Sequence, residues 1–257
     1  MSYDTDNPNI QFSQNELVSK RIIEKLVDQS SITRDDLVYD IGSGPGVISE
    51  VVLNKGARVT AFEKDVQYFS RYRDRLIDND RFELYIIDFL EWEFPPGQEY
   101  KVFSNIPFFH TSEIVNKLLL GENVPQDCYL IVQKEAVEKY TGTFGDTLVS
   151  PLLKPRFWIE IIHHFHRKDF QPVPSVDVVL LQAKKRMSQL IPDRFFSLYK
   201  DFIVFCREGK SHTVKRSLGR LLTYPQPKQL SRILSMDIKV DPTHLNFMQY
   251  LGMFQFF

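Results

Sequence analysis

Val38-Tyr39-Asp40-Ile41-Gly42-Ser43-Gly44-Pro45-Gly46-Val47 is the stretch that decides the fold of this chain. A short apolar run ends at three glycines spaced two apart, and apolar residues with helical spacing continue to position 53. This order of strand, glycine loop and helix is typical of the start of a nucleotide-binding βαβ unit, where glycine lets the backbone approach a ligand without a Cβ in the way. Many loops of this kind bind nothing, so its meaning depends on the rest of the chain.

Short apolar runs alternate with helical patterns along most of the sequence. Helical spacing predicts a first helix with Val18, Ile22 and Leu26 on one face, together with Ile23 and Val27. It also predicts a polar helix over about 65–76, a helix that opens at Thr111, and a helical stretch over 147–153. The predicted strands cover 37–41, 58–62, 82–87, 101–104, 128–133, 157–165 and 177–183. Strands that alternate with helices predict an α/β fold with a mostly parallel, Rossmann-like sheet.

The pattern changes near the C-terminus. From Pro192 onward, short helical segments follow one another without a strand, so we place a domain boundary that divides the chain into 1–188 and 189–257. Residues 181–257 hold 13 Lys and Arg against 5 Asp and Glu, a balance of +8, whereas the remaining residues balance to −9. This asymmetry favours a basic helical domain that faces a polyanion such as nucleic acid over a basic surface without a partner.

Composition narrows the class of protein. Hydrophobic residues make up 43% and charged residues 25% of the chain, which is typical of a globular protein. The first ten residues predict no signal peptide, and no apolar run approaches the length that spans a membrane. Cys128 and Cys206 lie far apart and lack metal-ligand spacing, so we interpret them as core residues of a cytoplasmic protein.

Acidic residues follow the second and third predicted strands. Glu63 stands 21 residues after Gly42, and Asp88 follows the third strand. The carboxyl ends of the strands line the ligand crevice in an open parallel sheet, which places both acids beside the glycine loop. Glu63 is positioned to bind a pair of ribose hydroxyls, a role that suits a nicotinamide cofactor as well as S-adenosylmethionine.

Asn105-Ile106-Pro107-Phe108, after the fourth strand, indicates the chemistry. The exocyclic amino group of adenine is a poor nucleophile, because its lone pair is delocalised into the ring. The Asn105 side-chain oxygen and the Ile106 carbonyl can accept hydrogen bonds from that amino group as positive charge develops on it. Pro107 stiffens the turn, and the Phe108 ring can stack on a base that has left its helix.

On the basis of these motifs, nearly the whole chain resembles the Erm rRNA adenine-N6 methyltransferases, which are relatives of the KsgA-type dimethyladenosine transferases. The motifs that carry the resemblance, in the family's order and spacing, are Ser13-Gln14-Asn15, the glycine loop at 40–46, Glu63, Asp88-Phe89-Leu90, Asn105-Ile106-Pro107-Phe108, and the Asp169–Val176 segment with its Phe-Gln-Pro-Val-Pro-Ser-Val. The single Pro-Val-Pro in place of three prolines is closer to the Erm type.

The resemblance implies a class I methyltransferase that uses S-adenosylmethionine. The residues it assigns to cofactor contacts are Asn15, Leu17, Gly42, Gly44, Glu63, Asp88 and Asn105, and those it assigns to the target base are Asn105, Ile106 and Phe108. It also implies a target adenine in 23S rRNA, resistance to macrolide, lincosamide and streptogramin B antibiotics, and action as a monomer.

The chain departs from the family pattern at two places. Glu16 stands where the family usually has phenylalanine, and Phe108-Phe109-His110 replaces a sequence of the Tyr-Asn-Ile type. Both departures fall on predicted walls of the site. We therefore expect the N-terminal lip and the surroundings of the target base to differ from those of relatives.

Basic residues cluster near the domain boundary and beyond it. The candidates for phosphate contacts are Lys184, Lys185, Arg186, Arg207, Lys210, Lys215, Arg216 and Arg220. His163, His164 and His166 invite comparison with a zinc site. Although His164 and His166 would share one face of a strand, no third ligand is evident, so no metal is expected.

Three alternative functions remain open from the sequence. A KsgA-like enzyme would methylate 16S rRNA with the same catalytic residues, and an rRNA-binding assembly factor would keep the basic domain without the cofactor contacts. A nicotinamide oxidoreductase would need G-x-G-x-x-G, whereas this loop has glycine at 42, 44 and 46 and valine at 47. The intact Asn-Ile-Pro-Phe turn favours the methyltransferase.

Overall fold

The computed structural model describes residues 15–68, 76–142, 148–207, 213–223 and 225–256. The sequence predictions for Ser13, Gln14 and Lys210 fall outside these ranges, as does most of the predicted helix over 65–76. The part of that segment that is described holds a single 3-10 turn at Val66–Tyr68.

A seven-stranded sheet is the centre of the fold. The described strands are β1 (Glu16–Leu17), β2 (Leu37–Ile41), β3 (Arg58–Phe62), β4 (Phe82–Tyr85), β5 (Lys101–Asn105), β6 (Asp127–Gln133), β7 (Phe157–His164), β8 (Phe170–Gln171) and β9 (Val178–Lys185). The order in the large sheet is β4-β3-β2-β5-β6-β9-β7. Its first five strands, β4, β3, β2, β5 and β6, pair in parallel, and β9 is antiparallel to β6. This confirms the predicted α/β fold and its mostly parallel sheet.

Helices connect the strands and continue beyond them. The described helices are α1 (Lys20–Gln29), α2 (Val47–Asn54), α3 (Thr111–Leu120), α4 (Lys134–Thr141), α5 (Val149–Leu153), α6 (Asp193–Arg207), α7 (Val214–Leu218), α8 (Gln226–Ile233) and α9 (Phe247–Gln255). Helix α1 buries Ile23, Leu26 and Val27, which confirms that part of the prediction. The prediction was wrong for Val18, which precedes the start of α1 at Lys20 and is 58% exposed.

The parallel register brings the predicted strand ends together. Ile41 pairs with Phe62, so the glycine loop after β2 and Glu63 after β3 leave the sheet side by side. The Phe62 carbonyl accepts hydrogen bonds from the N–H groups of Gly42 (2.8 Å) and Ser43 (3.1 Å). These bonds hold the start of the glycine loop against the neighbouring strand.

The short strands β1 and β8 were not predicted. They pair antiparallel with each other, Glu16 with Gln171 and Leu17 with Phe170, and the Val18 N–H donates to the Asp169 carbonyl at 2.9 Å. The N-terminal lip is therefore tied to the segment that contains the Phe-Gln-Pro-Val-Pro motif. Two-residue strands have no periodicity for sequence analysis to detect.

The chain divides into two compact units: Met1–Val137 with Glu160–Lys184, and Glu138–Ile159 with Lys185–Phe257. The predicted division at 188 placed 138–159 in the first domain, whereas this segment belongs to the second unit. Its α5 packs there, and the Tyr199 hydroxyl of α6 donates to the Pro151 carbonyl at 2.9 Å. That residues 189–257 form a domain by themselves stays a prediction.

Within the described ranges, no helix combines the length and apolar character needed to cross a membrane.

Candidate active site

A cavity of about 520 Å³ opens at the carboxyl ends of the parallel strands. It brings together the side chains and loops that the sequence predicted for the cofactor and the target base: Asn15, Leu17, Gly42, Gly44, Glu63, Asp88, Asn105, Ile106 and Phe108. They come from the N-terminal lip and from the ends of four neighbouring strands. The assigned role of each residue stays a prediction.

The glycine loop adopts a backbone that favours glycine. Gly42, Gly44 and Gly46 have φ values of +65°, +51° and +77°. A Cβ on Gly42 would lie 2.9 Å from Cδ of Pro107, whereas a Cβ on Gly44 would meet no described atom within 4 Å. Gly42 therefore lets the loop pack directly on the Asn-Ile-Pro-Phe turn, while Gly44 leaves open space for a ligand in the cavity.

Glu63 is buried and organises the loops around it. One carboxylate oxygen accepts a hydrogen bond from the Gly44 N–H and the other from the Asp65 N–H, both at 2.9 Å. A carboxylate has about four acceptor positions, so both oxygens can also accept hydrogen bonds from a ligand. This donor set suits the vicinal hydroxyls of a ribose.

Asp40 is a buried acid at this site for which the sequence analysis assigned no role. Its side chain is 1% exposed, and Oδ2 accepts a hydrogen bond from the Ser49 hydroxyl at 2.7 Å. Oδ1 has no hydrogen-bond partner among the described residues. Burial raises the pKa of Asp40 to about 7, and the negative charge of Glu63 adds to this, whereas the hydrogen bonds from Ser49 oppose it. An acid within an otherwise apolar strand was the signal that could have revealed it.

Asp88 ends the loop after β4 and caps the 3-10 turn at Phe89–Glu91. Its Oδ1 accepts a hydrogen bond from the Leu90 N–H at 2.9 Å. Below this turn, the Lys117 ammonium donates to the Leu90 carbonyl at 2.6 Å and lies 5.4 Å from the centre of the Phe89 ring. The contacts of Lys117 therefore stabilise the turn that positions Asp88 at the cavity wall.

Asn105 is fixed in one orientation by the N-terminal lip. Its side-chain amide nitrogen donates to the Asn15 carbonyl at 2.7 Å, which directs the amide oxygen away from that contact. The oxygen, Oδ1, is buried and has no hydrogen-bond partner among the described residues. Ile106 beside it is 2% exposed. The site therefore contains a preoriented acceptor that a bound amino group can satisfy.

The residues after Pro107 form a short turn at the rim of the cavity. Phe108 is half-buried against the core, and Phe109 is 80% exposed. His110 lines the cavity as well, and its Nδ1 is buried without a partner among the described residues. Phe109 and His110 depart from the family pattern in sequence, and no role was predicted for either residue.

The basic candidates differ in their surroundings. Lys184, Lys215 and Arg216 are exposed, and Lys185 and Arg207 are half-buried. Cζ of Arg186 lies 3.5 Å from the centre of the Trp158 ring, and Nε donates to the Lys154 carbonyl at 2.7 Å. Arg186 is therefore part of the packing of the second unit. Contact of any of these residues with RNA stays a prediction.

The three histidines do not share one strand face. β7 ends at His164, so His166 lies beyond it, where it precedes the turn at Arg167–Asp169. Burial lowers the pKa of His163, whose ring meets that of Phe165 at 4.7 Å. The described residues contain no group of three or more His, Cys, Asp or Glu side chains arranged to hold a metal ion.

Comparison with known proteins relates the chain to enzymes that modify ribosomal RNA. The family model described as ribosomal RNA adenine dimethylase matches residues 5–257. An rRNA adenine N-6-methyltransferase from Escherichia coli is 32% identical over 220 residues, which cover 86% of this chain and 85% of that protein. A ribosomal RNA small subunit methyltransferase A from Mycoplasmopsis pulmonis is 30% identical over 213 residues, which cover 82% of each.

A solved structure supports the fold. The crystal structure of the 23S rRNA methyltransferase ErmE matches with a TM-score of 0.82 and 23% sequence identity, and the match covers 94% of this chain and 98% of that one. At this identity the likeness concerns the fold.

Proposed function

Because the chain belongs to the ribosomal RNA adenine dimethylase family, we propose that it transfers a methyl group from S-adenosylmethionine to N6 of a specific adenine in 23S rRNA. The cofactor supplies a methyl group activated by a sulfonium. The N6 lone pair forms the new C–N bond as the methyl–sulfur bond breaks. The electrons of the broken bond stay on sulfur, which gives S-adenosylhomocysteine. N6 then releases a proton to water. No strong general base is required, since proton loss follows the transfer.

The observation that carries this proposal is the unsatisfied oxygen of Asn105. Its amide is fixed by the 2.7 Å hydrogen bond to the Asn15 carbonyl. Oδ1 of the same amide is buried and has no hydrogen-bond partner among the described residues, so it is available to a donor. An amino group that becomes positively charged during the reaction is a stronger donor in the transition state than in the ground state. A preoriented acceptor therefore lowers the barrier by differential stabilisation. The Ile106 carbonyl is the proposed second acceptor.

The remaining cavity residues suit the cofactor. Glu63 offers carboxylate oxygens to the ribose hydroxyls, Asp88 has Oδ2 for the adenine amino group, and Gly44 leaves space at the loop. Asn15 and Leu17 form the lip at the methionine end. In this arrangement the chain contributes position and electrostatic stabilisation rather than a nucleophile or a metal.

Asn105→Ala tests the mechanism directly. We expect calorimetry to show S-adenosylmethionine affinity within a few-fold of the wild type and kcat to fall by about 10²–10³-fold, the usual effect of removing one preorganised transition-state hydrogen bond. Asn105→Asp is the matched variant: it keeps the acceptor oxygens but cannot donate to the Asn15 carbonyl, so it should also lose activity. Wild-type kcat in Asn105→Ala would refute the mechanism.

One sequence feature favours 23S over 16S rRNA: the Pro-Val-Pro segment is of the Erm type. The small-subunit relative at 30% identity keeps 16S rRNA as the second candidate. Incubation of each purified rRNA with labelled cofactor, followed by mapping of the methylated nucleotide, separates the two.

On the 23S assignment, the protein acts on ribosomal RNA in the cytoplasm, and its expression raises the growth-inhibitory concentrations of macrolides, lincosamides and streptogramin B together. Expression of the Asn105→Ala protein, with its lower kcat, should raise these concentrations much less. The proposed phosphate contacts are Lys184, Lys185, Arg186, Arg207, Lys210, Lys215 and Arg216. The protein is proposed to act as a monomer.

A further inference from the structure

An exposed phenylalanine stands at the rim of the cavity. Phe109 leaves 80% of its surface exposed, and the cavity wall includes it together with Phe108. Of the large hydrophobic side chains exposed within the described ranges, Phe109 alone lines the cavity. An apolar ring at the mouth of a site that accepts a base is therefore a feature of this position and not of the surface in general.

The ring is held on a rigid support. The His110 N–H donates to the Pro107 carbonyl at 3.0 Å, and the Thr111 hydroxyl donates to the Phe108 carbonyl at 2.9 Å. Helix α3 begins directly afterwards, at Thr111. The rings of Phe109 and His110 pack with their centres 5.2 Å apart and their planes at 86° to each other.

A base that leaves an RNA stack creates a planar gap between its two neighbours. Proteins that disturb nucleic acid stacking insert apolar side chains into such gaps, and each aromatic–base stack contributes to binding without regard to base identity. Phe109 is 80% exposed, lines the cavity and stands four residues after Asn105, so it has the shape and the position for this task.

We propose that Phe109 inserts into the RNA at the position that the target adenine leaves, and stacks between the two neighbouring bases while the adenine occupies the cavity. This inference rests on the proposed function, since it requires a flipped adenine. Phe109 is then a substrate-positioning residue: it stabilises the open RNA and contacts neither the cofactor nor N6.

The test uses a fragment of 23S rRNA that contains the unmethylated target adenine. A second copy of this fragment has an abasic site in place of that adenine. The abasic copy already contains the gap, so the wild-type protein should bind it more tightly than the intact copy. Phe109→Ala should lose this preference, and its kcat/KM on the intact RNA should fall by about 5–150-fold, the range for one lost aromatic–base stack. The loss should lie mainly in KM.

Two variants separate stacking from other roles. Phe109→Trp keeps a flat aromatic face and should retain both activity and the abasic preference, whereas Phe109→Leu keeps apolar volume without a ring and should behave as Phe109→Ala. Phe195→Ala, which removes another exposed phenylalanine that does not line the cavity, is the matched control and should change neither.

The outcomes are distinguishable from failure of the proposed function. If the wild-type protein methylates neither 23S nor 16S rRNA, the proposed function itself fails and this inference fails with it. If it methylates the RNA and Phe109→Ala retains both kcat/KM and the abasic preference, the insertion of Phe109 is overturned while the proposed function stands. Because the side chain is exposed, S-adenosylmethionine affinity should be the same in every Phe109 variant.

Discussion

Substitution of alanine for Gly42 and for Gly44 isolates the contact between the glycine loop and the catalytic turn. Both glycines have positive φ, +65° and +51°, so both variants bear the strain of a left-handed alanine, about 1–2 kcal/mol. Only at Gly42 would the new Cβ meet Pro107, at 2.9 Å from Cδ and 3.2 Å from Cγ. A contact this short forces the turn to move, at an overpacking cost of about 1–3 kcal/mol more.

We therefore expect Gly44→Ala to lower the free energy of unfolding by about 1–2 kcal/mol and Gly42→Ala by about 2–5 kcal/mol. Urea denaturation followed by circular dichroism measures both. Because the additional strain displaces Pro107, and Asn105 lies two residues before it, Gly42→Ala should also lower kcat more than Gly44→Ala does.

The double variant Gly42→Ala/Pro107→Ala completes the test, because alanine at 107 lacks the two carbons that clash. It should recover part of the stability lost in Gly42→Ala beyond what Pro107→Ala alone would predict, which a double-mutant cycle measures as a coupling energy. Equal destabilisation by the two glycine variants, together with a coupling energy near zero, would refute the packing of the loop on the turn.

Two further predictions concern the buried acids. Glu63→Gln replaces one of two acceptor oxygens by a donor group. Calorimetry should show S-adenosylmethionine binding weakened by about 10–100-fold, as expected for a lost charged hydrogen bond, whereas the control Glu83→Gln, at an exposed position, should bind as the wild type does. Equal affinities of Glu63→Gln and the wild type would contradict the ribose assignment. Burial raises the pKa of Asp40 from 3.8 to about 7, so between these pH values the folded protein keeps a proton that the unfolded chain has lost. The free energy of unfolding should consequently fall as pH rises through this window, by up to about 4 kcal/mol from this group. Asp40→Asn should flatten the dependence and the exposed Asp78→Asn should not, and an unchanged slope in Asp40→Asn would show that this carboxyl does not titrate there.

Local signals were sufficient for the strands that carry the site. The bounds of β2 and β3 agree with the predictions, because each is a mostly apolar run that is followed by a glycine or an acid. A parallel sheet buries both faces of such strands, so the run needs no partner to be recognised. The positions of Glu63, Asp88 and Asn105 at one edge then follow from the rule that parallel strands end together.

Contacts between distant parts of the chain were not visible in the same way. The pairing of Leu17 with Phe170 joins segments about 150 residues apart and involves two-residue strands without a pattern. Val18 has the spacing of the first helix, yet lies outside it because its N–H bonds to the Asp169 carbonyl. Likewise, α5 lies between methyltransferase motifs in sequence but packs in the second unit, where it contacts α6 and α9.

The chemistry of the site could be predicted from residue types alone, because it depends on which groups stand at the strand ends: three glycines, two acids and the Asn-Ile-Pro-Phe turn. How those groups are held depends on contacts that only the folded chain makes. The Asn105 amide is oriented by a carbonyl from the N-terminal lip, Gly42 is required by Pro107, and Phe109 is left exposed at the rim. Each of these depends on distances between residues far apart in the chain, which hydrophobic periodicity does not encode.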